Sequence, residues 1–270
     1  MLNSWPIVLV QPIFLERLLI LLFNRIRHPS LSIVIPVYNE EENLYPLVEA
    51  VFDVLSADPD FLELLFVDDG SRDCTAAMIL EMATVQPRIR LVRHERNRGL
   101  GAAIRTGLLA AAGDLILYTD ADLPFDFTVI PQLVSRATHD NVVIGCRANR
   151  GEGLRRWLLS KGYNLLCRFA LGLRVHDVNF ACKLIPRRAL FGMRLASEGS
   201  FIDAELLLEC RRLGFAVIEF PLTYYPRMRG RSTLARGRVI VGILVEMGQY
   251  GIRSYNTDNE LVEEIDHKRG

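Results

Sequence analysis

From Leu31 onward, short apolar runs alternate with helix-length amphipathic stretches for more than a hundred residues, which confines the chain to one class of fold. Leu31–Val37 reads as a first strand, closed by Pro36 and the turn Tyr38-Asn39-Glu40. Glu41–Leu55 predicts a helix with Leu44, Leu47, Val48, Val51 and Leu55 on one face. Leu62–Val67 predicts a second strand, stopped by Asp68-Asp69-Gly70-Ser71, after which Asp73 or Ser71 caps a helix to about Thr84. Ile89–Val92, Leu115–Thr119 and Val142–Gly145 predict three more strands, with a small-residue helix over Gly99–Ala112. Strands alternating with helices of this length imply an α/β fold, a mainly parallel sheet covered on both faces.

The flanks read differently. Residues 1–28 are strongly apolar but broken by Pro12, carry Glu16 and Arg17 near the middle, and end in Arg25, Arg27 and His28. A spanning helix needs about 20 apolar residues with few charges, so the segment predicts either an interfacial helix with a basic end or an amphipathic helix packed on the domain. After Cys146 come a basic amphipathic helix over Leu154–Leu171, a helix over Phe201–Leu213, a short strand over Ala216–Phe220 and an amphipathic helix over 239–252. The tail from Ser254 is polar. No late pair of hydrophobic spans follows, so no C-terminal anchor is expected.

Formal net charge is +0, which argues against a dedicated nucleic-acid partner. The balance hides an asymmetry. Leu31–Cys146 holds 18 Asp/Glu against 8 Lys/Arg, whereas Arg147–Arg194 holds 11 Lys/Arg against 2 Asp/Glu. An acidic half able to hold a cation is followed by a basic stretch able to face phosphates or anionic lipid. The five cysteines are scattered, odd in number and form no C-x-x-C pair, which suits buried thiols in a reducing compartment.

Three predicted strands end in polar groups: Tyr38-Asn39-Glu40, Asp68-Asp69-Gly70-Ser71 and Asp120-Ala121-Asp122. In a parallel sheet these ends share one edge, where ligands bind in open α/β folds. Two carboxylates one residue apart repel unless a cation lies between them. Mg²⁺ is typically held by one or two carboxylates together with substrate phosphates. An Asp such as Asp69 can accept the ring N–H of uracil or guanine, and Tyr38 offers a flat face to a base. Each signal alone is also what a turn or a helix cap would show. Gly99 and Gly101 at a helix start lack the third glycine of the dinucleotide fingerprint, so close helix–strand packing is the expectation for them.

The segments IPVYNEEENL (Ile35–Leu44), VDDGSRDCT (Val67–Thr75), NRGLGAAI (Asn97–Ile104) and DADL (Asp120–Leu123) resemble family 2 glycosyltransferases of the GT-A fold. Within that family they are most similar to the dolichyl-phosphate mannosyltransferase and polyprenyl-phosphate glycosyltransferase branch. The resemblance spans about 31–235, leaving 1–28 as an N-terminal amphipathic segment and 236–270 as a C-terminal helix and polar tail. It implies that Pro36, Tyr38, Glu40, Val67 and Asp69 line the nucleoside of a nucleotide-sugar. It further implies that Asp120 and Asp122, with Ala121 between them, hold Mg²⁺ or Mn²⁺ on the diphosphate. Arg147 and Arg227 would contact the donor, and Arg229, Arg231 and Ser232 would meet phosphate. Departures from the family pattern are Pro124 where relatives often carry Gln, Thr233 where they carry Lys, and Asp177-Val-Asn-Phe-Ala-Cys where they often read Asp-x-x-Gly.

The implied reaction is a metal-dependent, inverting hexosyl transfer from GDP-mannose or a UDP-sugar to a polyprenyl or dolichyl phosphate. The implied location is the cytoplasmic face of a membrane, held peripherally. A lipid phosphate is already largely ionised, its second pKa being about 6, so a strong base is optional. A saccharide acceptor would need a carboxylate base, for which Asp203 and Glu205 are candidates, with Asp177 near the acceptor and His176 beside it. The alternatives are that saccharide-acceptor enzyme of surface polysaccharide synthesis and, from another class, a non-catalytic sugar-nucleotide-binding protein.

Overall fold

The computed structural model describes residues 29–148, 154–226 and 241–254, with side chains from Ser160 onward in the helix that begins at Leu154. The apolar segment 1–28, the loop carrying Arg227, Arg229, Arg231 and Ser232, and the polar tail from residue 255 lie outside the described residues.

The chain runs β1 Leu31–Val37, α1 Glu41–Leu55, β2 Phe61–Asp68, α2 Thr75–Val85, β3 Ile89–Arg93, α3 Leu100–Ala110 and β4 Leu115–Thr119. It continues through α4 Ile130–Arg136, β5 Asn141–Arg147, α5 Leu154–Leu171, β6 Cys182–Pro186, α6 Ile202–Arg212 and β7 Ala216–Leu222. A last helix, α7, covers 241–254. The seven strands form one sheet in the order β3-β2-β1-β4-β6-β5-β7. β1 pairs in parallel with β2 and β4, β2 with β3, and β5 with β7. Only β6 runs antiparallel, wedged between β4 and β5.

Strand period sorts the core into two layers. Ile33, Ile35, Leu115 and Leu117 face one cluster with Leu44, Leu47 and Val51 of α1 and Ile79 of α2. Val34, Ile116 and Tyr118 face the other, with Ile104 of α3, Cys167 of α5, Leu206 and Leu207 of α6, and Met247 and Tyr250 of α7. Burial on both faces explains why these strands read as unbroken apolar runs.

Two elements are absent from the sequence reading. β6 is five residues long with Lys183 as its second residue and Pro186 as its last, so it has neither the apolar run nor the alternation of a strand. α4 spans seven residues with Pro131 in its first turn, too short for a helical period to register. The glycine expectation also needs correction. A Cβ on Gly99 would lie 2.3 Å from the carbonyl oxygen of Glu198, and one on Gly101 2.3 Å from that of Ser197, so both glycines admit the loop before α6 rather than a strand. The helix–sheet contact belongs to Gly107, where a Cβ would lie 2.3 Å from Cγ1 of Val34.

Candidate active site

Because β2, β1 and β4 are neighbours and parallel, their carboxyl ends converge, and the chain leaves β1 toward β2 on one side while β4 lies on the other. This reversal of strand order is where α/β sheets open a crevice. β5 and β7 end on the same edge and β6 begins there, which brings Arg147, Asp177 and Tyr224 to it.

The first two loops are stitched together. Asn39, at φ 55, donates its backbone N–H to Oγ of Ser71 at 2.9 Å and accepts that of Arg72 at 2.8 Å. Glu40 donates its N–H to Oγ1 of Thr75, and its carboxylate accepts from Asn43. Tyr38 is left 39% exposed, a free aromatic face. Pro36 and Val67, expected at the nucleoside, are the next-to-last residues of β1 and β2 and pair with each other in the sheet. The Val67 side chain is 0% exposed and packs beside Gly107 in the core.

Asp68 and Asp69 are both buried. Asp68 accepts the N–H of Ser71 and pairs with Arg93 at 2.9 Å. Asp69 Oδ1 accepts the N–H of Arg98 at 2.8 Å and contacts His94 Nδ1 at 2.7 Å, while Oδ2 accepts the N–H of Gly99 at 2.8 Å. The far nitrogen of His94 lies 3.0 Å from Oγ1 of Thr106 on α3. A carboxylate has about four acceptor positions. Three on Asp69 are taken by these contacts, two on Oδ1 and one on Oδ2. Gly70 is required here, since a Cβ at its φ of +74 would lie 2.6 Å from the backbone of Arg96.

At the end of β4, Asp120 accepts a hydrogen bond from the Tyr118 hydroxyl at 3.4 Å. Burial, then the carboxylates of Asp120 and Asp203, hold the Tyr118 phenol well above its ordinary range, so it remains a donor. Ala121 is buried, Asp120 and Asp122 are half-buried, and Leu123 at φ 54 turns the chain sharply away. Oγ1 of Thr119 donates to the carbonyl of Ala181 at 2.7 Å, fixing this turn to the start of β6. Among the described residues no group of three or more His, Cys, Asp or Glu could hold a metal. Asp120 and Asp122 are a two-carboxylate set of hard oxygen donors, which suits a Mg²⁺-class ion that completes its shell with phosphate and water.

Across the edge, Arg147 Nε lies 3.6 Å from Oδ2 of Asp177, and both side chains are buried. Its guanidinium stacks 4.7 Å from the Tyr224 ring centroid and 5.3 Å from that of Phe180. His176, next to Asp177 in sequence, turns outward and pairs with Glu219 at 2.6 Å. Asp203, in the first turn of α6, meets Lys183 Nζ at 2.5 Å. Burial pushes the Asp203 carboxyl up, and the Lys183 ammonium opposes that shift. Glu205, named with Asp203 as a candidate base, has a different task. Its two oxygens accept the N–H groups of Ala196 and Ser197 and pair with Arg253, and it is 0% exposed. Lys183, His94 and Thr106 were not read as site residues. His94 and Thr106 meet Asp69 only through the fold, and Lys183 is hidden in the unrecognised β6.

A family model described as glycosyl transferase family 2 matches residues 32–191. A dolichyl-phosphate beta-glucosyltransferase of Trichomonas vaginalis is 30% identical over 83% of this chain and 76% of its own length. An undecaprenyl-phosphate 4-deoxy-4-formamido-L-arabinose transferase of Pectobacterium atrosepticum is 36% identical over 63% of this chain, which spans 53% of that relative. Among solved structures, glucosyl-3-phosphoglycerate synthase from Mycobacterium tuberculosis, in complex with Mn²⁺ and UDP-glucose, shares the fold with a TM-score of 0.60 at 23% identity, covering 92% of this chain and 84% of that one.

Proposed function

Because the chain belongs to glycosyl transferase family 2, and is therefore a glycosyltransferase, we propose that it moves a hexose from a nucleotide-sugar to a polyprenyl phosphate, with inversion at the anomeric carbon. The observation that carries this reading is the convergence of three polar strand ends, Tyr38–Glu40, Asp68–Ser71 and Asp120–Asp122, on one sheet edge facing the Arg147–Asp177 pair. Tyr38 receives the base, and the remaining acceptor position on Asp69 takes a ring N–H. Asp120 and Asp122 would hold Mg²⁺ or Mn²⁺ against the donor diphosphate. When bound, such an ion neutralises charge developing on the leaving nucleoside diphosphate. Arg147, held by two rings and Asp177, adds a fixed positive group beside that site.

The acceptor oxygen attacks the anomeric carbon as the bond to the diphosphate breaks. A lipid monophosphate arrives largely ionised, its second pKa being about 6, and needs no proton removed. The outer surface suits such an acceptor. No helix among the described residues is long and apolar enough to cross a membrane. α5 contains no Asp or Glu, exposes Lys161 and Arg168, and leaves Leu165 and Phe169 55% and 79% exposed. α7 buries Met247 and Tyr250 in the same core layer and leaves Val241, Leu244, Val245 and Ile252 outside. Apolar side chains beside exposed cations are what an anionic lipid interface takes up, and we place the protein peripherally on such a surface.

The test is a partition assay with UDP-glucose or GDP-mannose labelled in the sugar, Mn²⁺, and undecaprenyl phosphate. Label moving into the organic phase is expected. Label that stays aqueous on a saccharide instead would refute the lipid acceptor while keeping the enzyme, and no transfer from any nucleotide-sugar would refute both.

A further inference from the structure

Lys183 is 0% exposed in the middle of a sheet, a position from which a lysine is normally excluded unless it is paired. Its ammonium is held by three elements at once. It donates to Oδ1 of Asp203 on α6 at 2.5 Å and to the carbonyl of Phe180 at 3.0 Å, and it lies 5.5 Å from the ring centroid of Tyr118 on β4. Each of those partners leads to the site. Tyr118 donates to Asp120. The Phe180 ring carries the guanidinium of Arg147, and Phe180 ends the segment begun by Asp177. Asp203 lies in the first turn of α6, whose preceding loop meets Gly101 through the carbonyl of Glu198.

A fold has cheaper ways to fill this space. A buried ion pair rarely stabilises more than well-packed apolar residues of the same volume. Packing alone therefore does not account for Lys183. We propose that Lys183 is a positioning residue for the transfer reaction, holding the 177–181 segment, and with it the Arg147 guanidinium, in register with the Asp120–Asp122 turn, with Asp203 as the buried counter-charge that keeps the ammonium in place. This rests on the glycosyltransferase reading and adds to it a residue on the acceptor side. Lys183 itself touches neither donor nor acceptor. It acts through the carbonyl that fixes Phe180 beneath Arg147.

The reasoning separates chemistry from binding. The nucleoside floor at Asp69 and Tyr38 does not contact Lys183, so loss of the ammonium leaves nucleotide recognition in place while the reacting groups lose their alignment.

The test compares wild type, Lys183→Met, and the double variant Lys183→Met with Asp203→Leu, which removes both charges. UDP-glucose and GDP-mannose serve as donors, undecaprenyl phosphate in detergent as acceptor, with Mn²⁺ present. Thermal unfolding, UDP and GDP affinity by calorimetry, and kcat and KM for the donor are measured on each. For Lys183→Met the expectation is a fall in kcat of about a hundredfold or more with donor KM within threefold. For the double variant it is a regained melting temperature without regained kcat. Two results would overturn the proposal: a folded Lys183→Met protein with wild-type kcat, or a double variant that recovers transfer along with stability, which would make the pair purely structural. A wild-type protein that binds UDP or GDP and transfers sugar, with either of those outcomes, removes only this inference. A wild type that does neither refutes the transferase reading and this one with it.

Discussion

Replacing Asp69 by Asn changes one oxygen to an amide and nothing in size, yet two separate losses follow from the contacts around it. If the amide oxygen keeps the Oδ1 position, it still accepts from Arg98 N–H and His94. The NH₂ then faces the N–H of Gly99, which had been bonded at 2.8 Å. Two donors meet, and a backbone N–H at the start of α3 loses its partner. Such an unsatisfied group costs about 1–3 kcal/mol. With about 2–4 °C per kcal/mol for a domain of this size, the melting temperature falls by about 2–12 °C. The second loss concerns the ligand, because the free acceptor position is on the oxygen that becomes NH₂. A hydrogen bond to a charged group contributes about 1.5–3 kcal/mol, so UDP or GDP affinity falls about 10- to 150-fold. Calorimetry with Mn²⁺ and a thermal melt of the unliganded protein measure the two separately. A lowered melting temperature with unchanged nucleotide affinity would show that Asp69 only braces the 94–99 loop, and the base-recognition reasoning would be wrong.

Asp122→Ala should abolish the thermal stabilisation given by UDP or GDP with Mn²⁺, which is about 2.7 kcal/mol at a hundred times Kd, while leaving the unliganded melting temperature within a few degrees. Retained stabilisation would take Asp122 out of the metal pair. Glu246 of α7 accepts N–H groups from Glu198 at 2.9 Å, Gly199 at 2.7 Å and Phe201 at 3.4 Å. Glu246→Ala should therefore cost about 1–3 kcal/mol in a chemical denaturation series, and Glu246→Gln less, because one retained oxygen serves two of the three donors. For the lipid surface, Phe169→Asp should weaken co-sedimentation with anionic vesicles by about tenfold or more, since burying an aromatic side chain contributes about 1.5–3 kcal/mol. Soluble-phase folding is untouched because Phe169 is already exposed.

The predicted bounds of β1, α1, β4 and α5 coincide with the observed ones, because each strand is an apolar run closed by polar turn residues and each helix carries its own apolar face. β6 had no such autonomy. It owes its existence to two neighbours, and Lys183 is tolerable there only because Asp203, twenty residues later, is folded onto it. The carboxylates at the strand ends were legible because parallel topology sends them all to one edge. What each one does was not. Asp69 is engaged by His94 from 25 residues away, and that contact has no local signature. Asp203 and Glu205 illustrate a distinction that was within reach. Residues two apart on a helix point nearly opposite ways, about 200° around the axis, so at most one of the two could look toward the crevice.

The close approach at Gly99 and Gly101 has a mechanical consequence. Asp69 grips the N–H of Gly99, Gly101 donates to the carbonyl of Glu198 at 2.8 Å, and Glu198 in turn donates to Glu246. The end of β2 and the last helix are thus linked by two buried or half-buried carboxylates with one main-chain bond, Gly101 to Glu198, at the crossing point. Removing α7 would therefore slacken the 197–199 loop and, through Gly101 and Gly99, the brace on the Asp69 carboxylate.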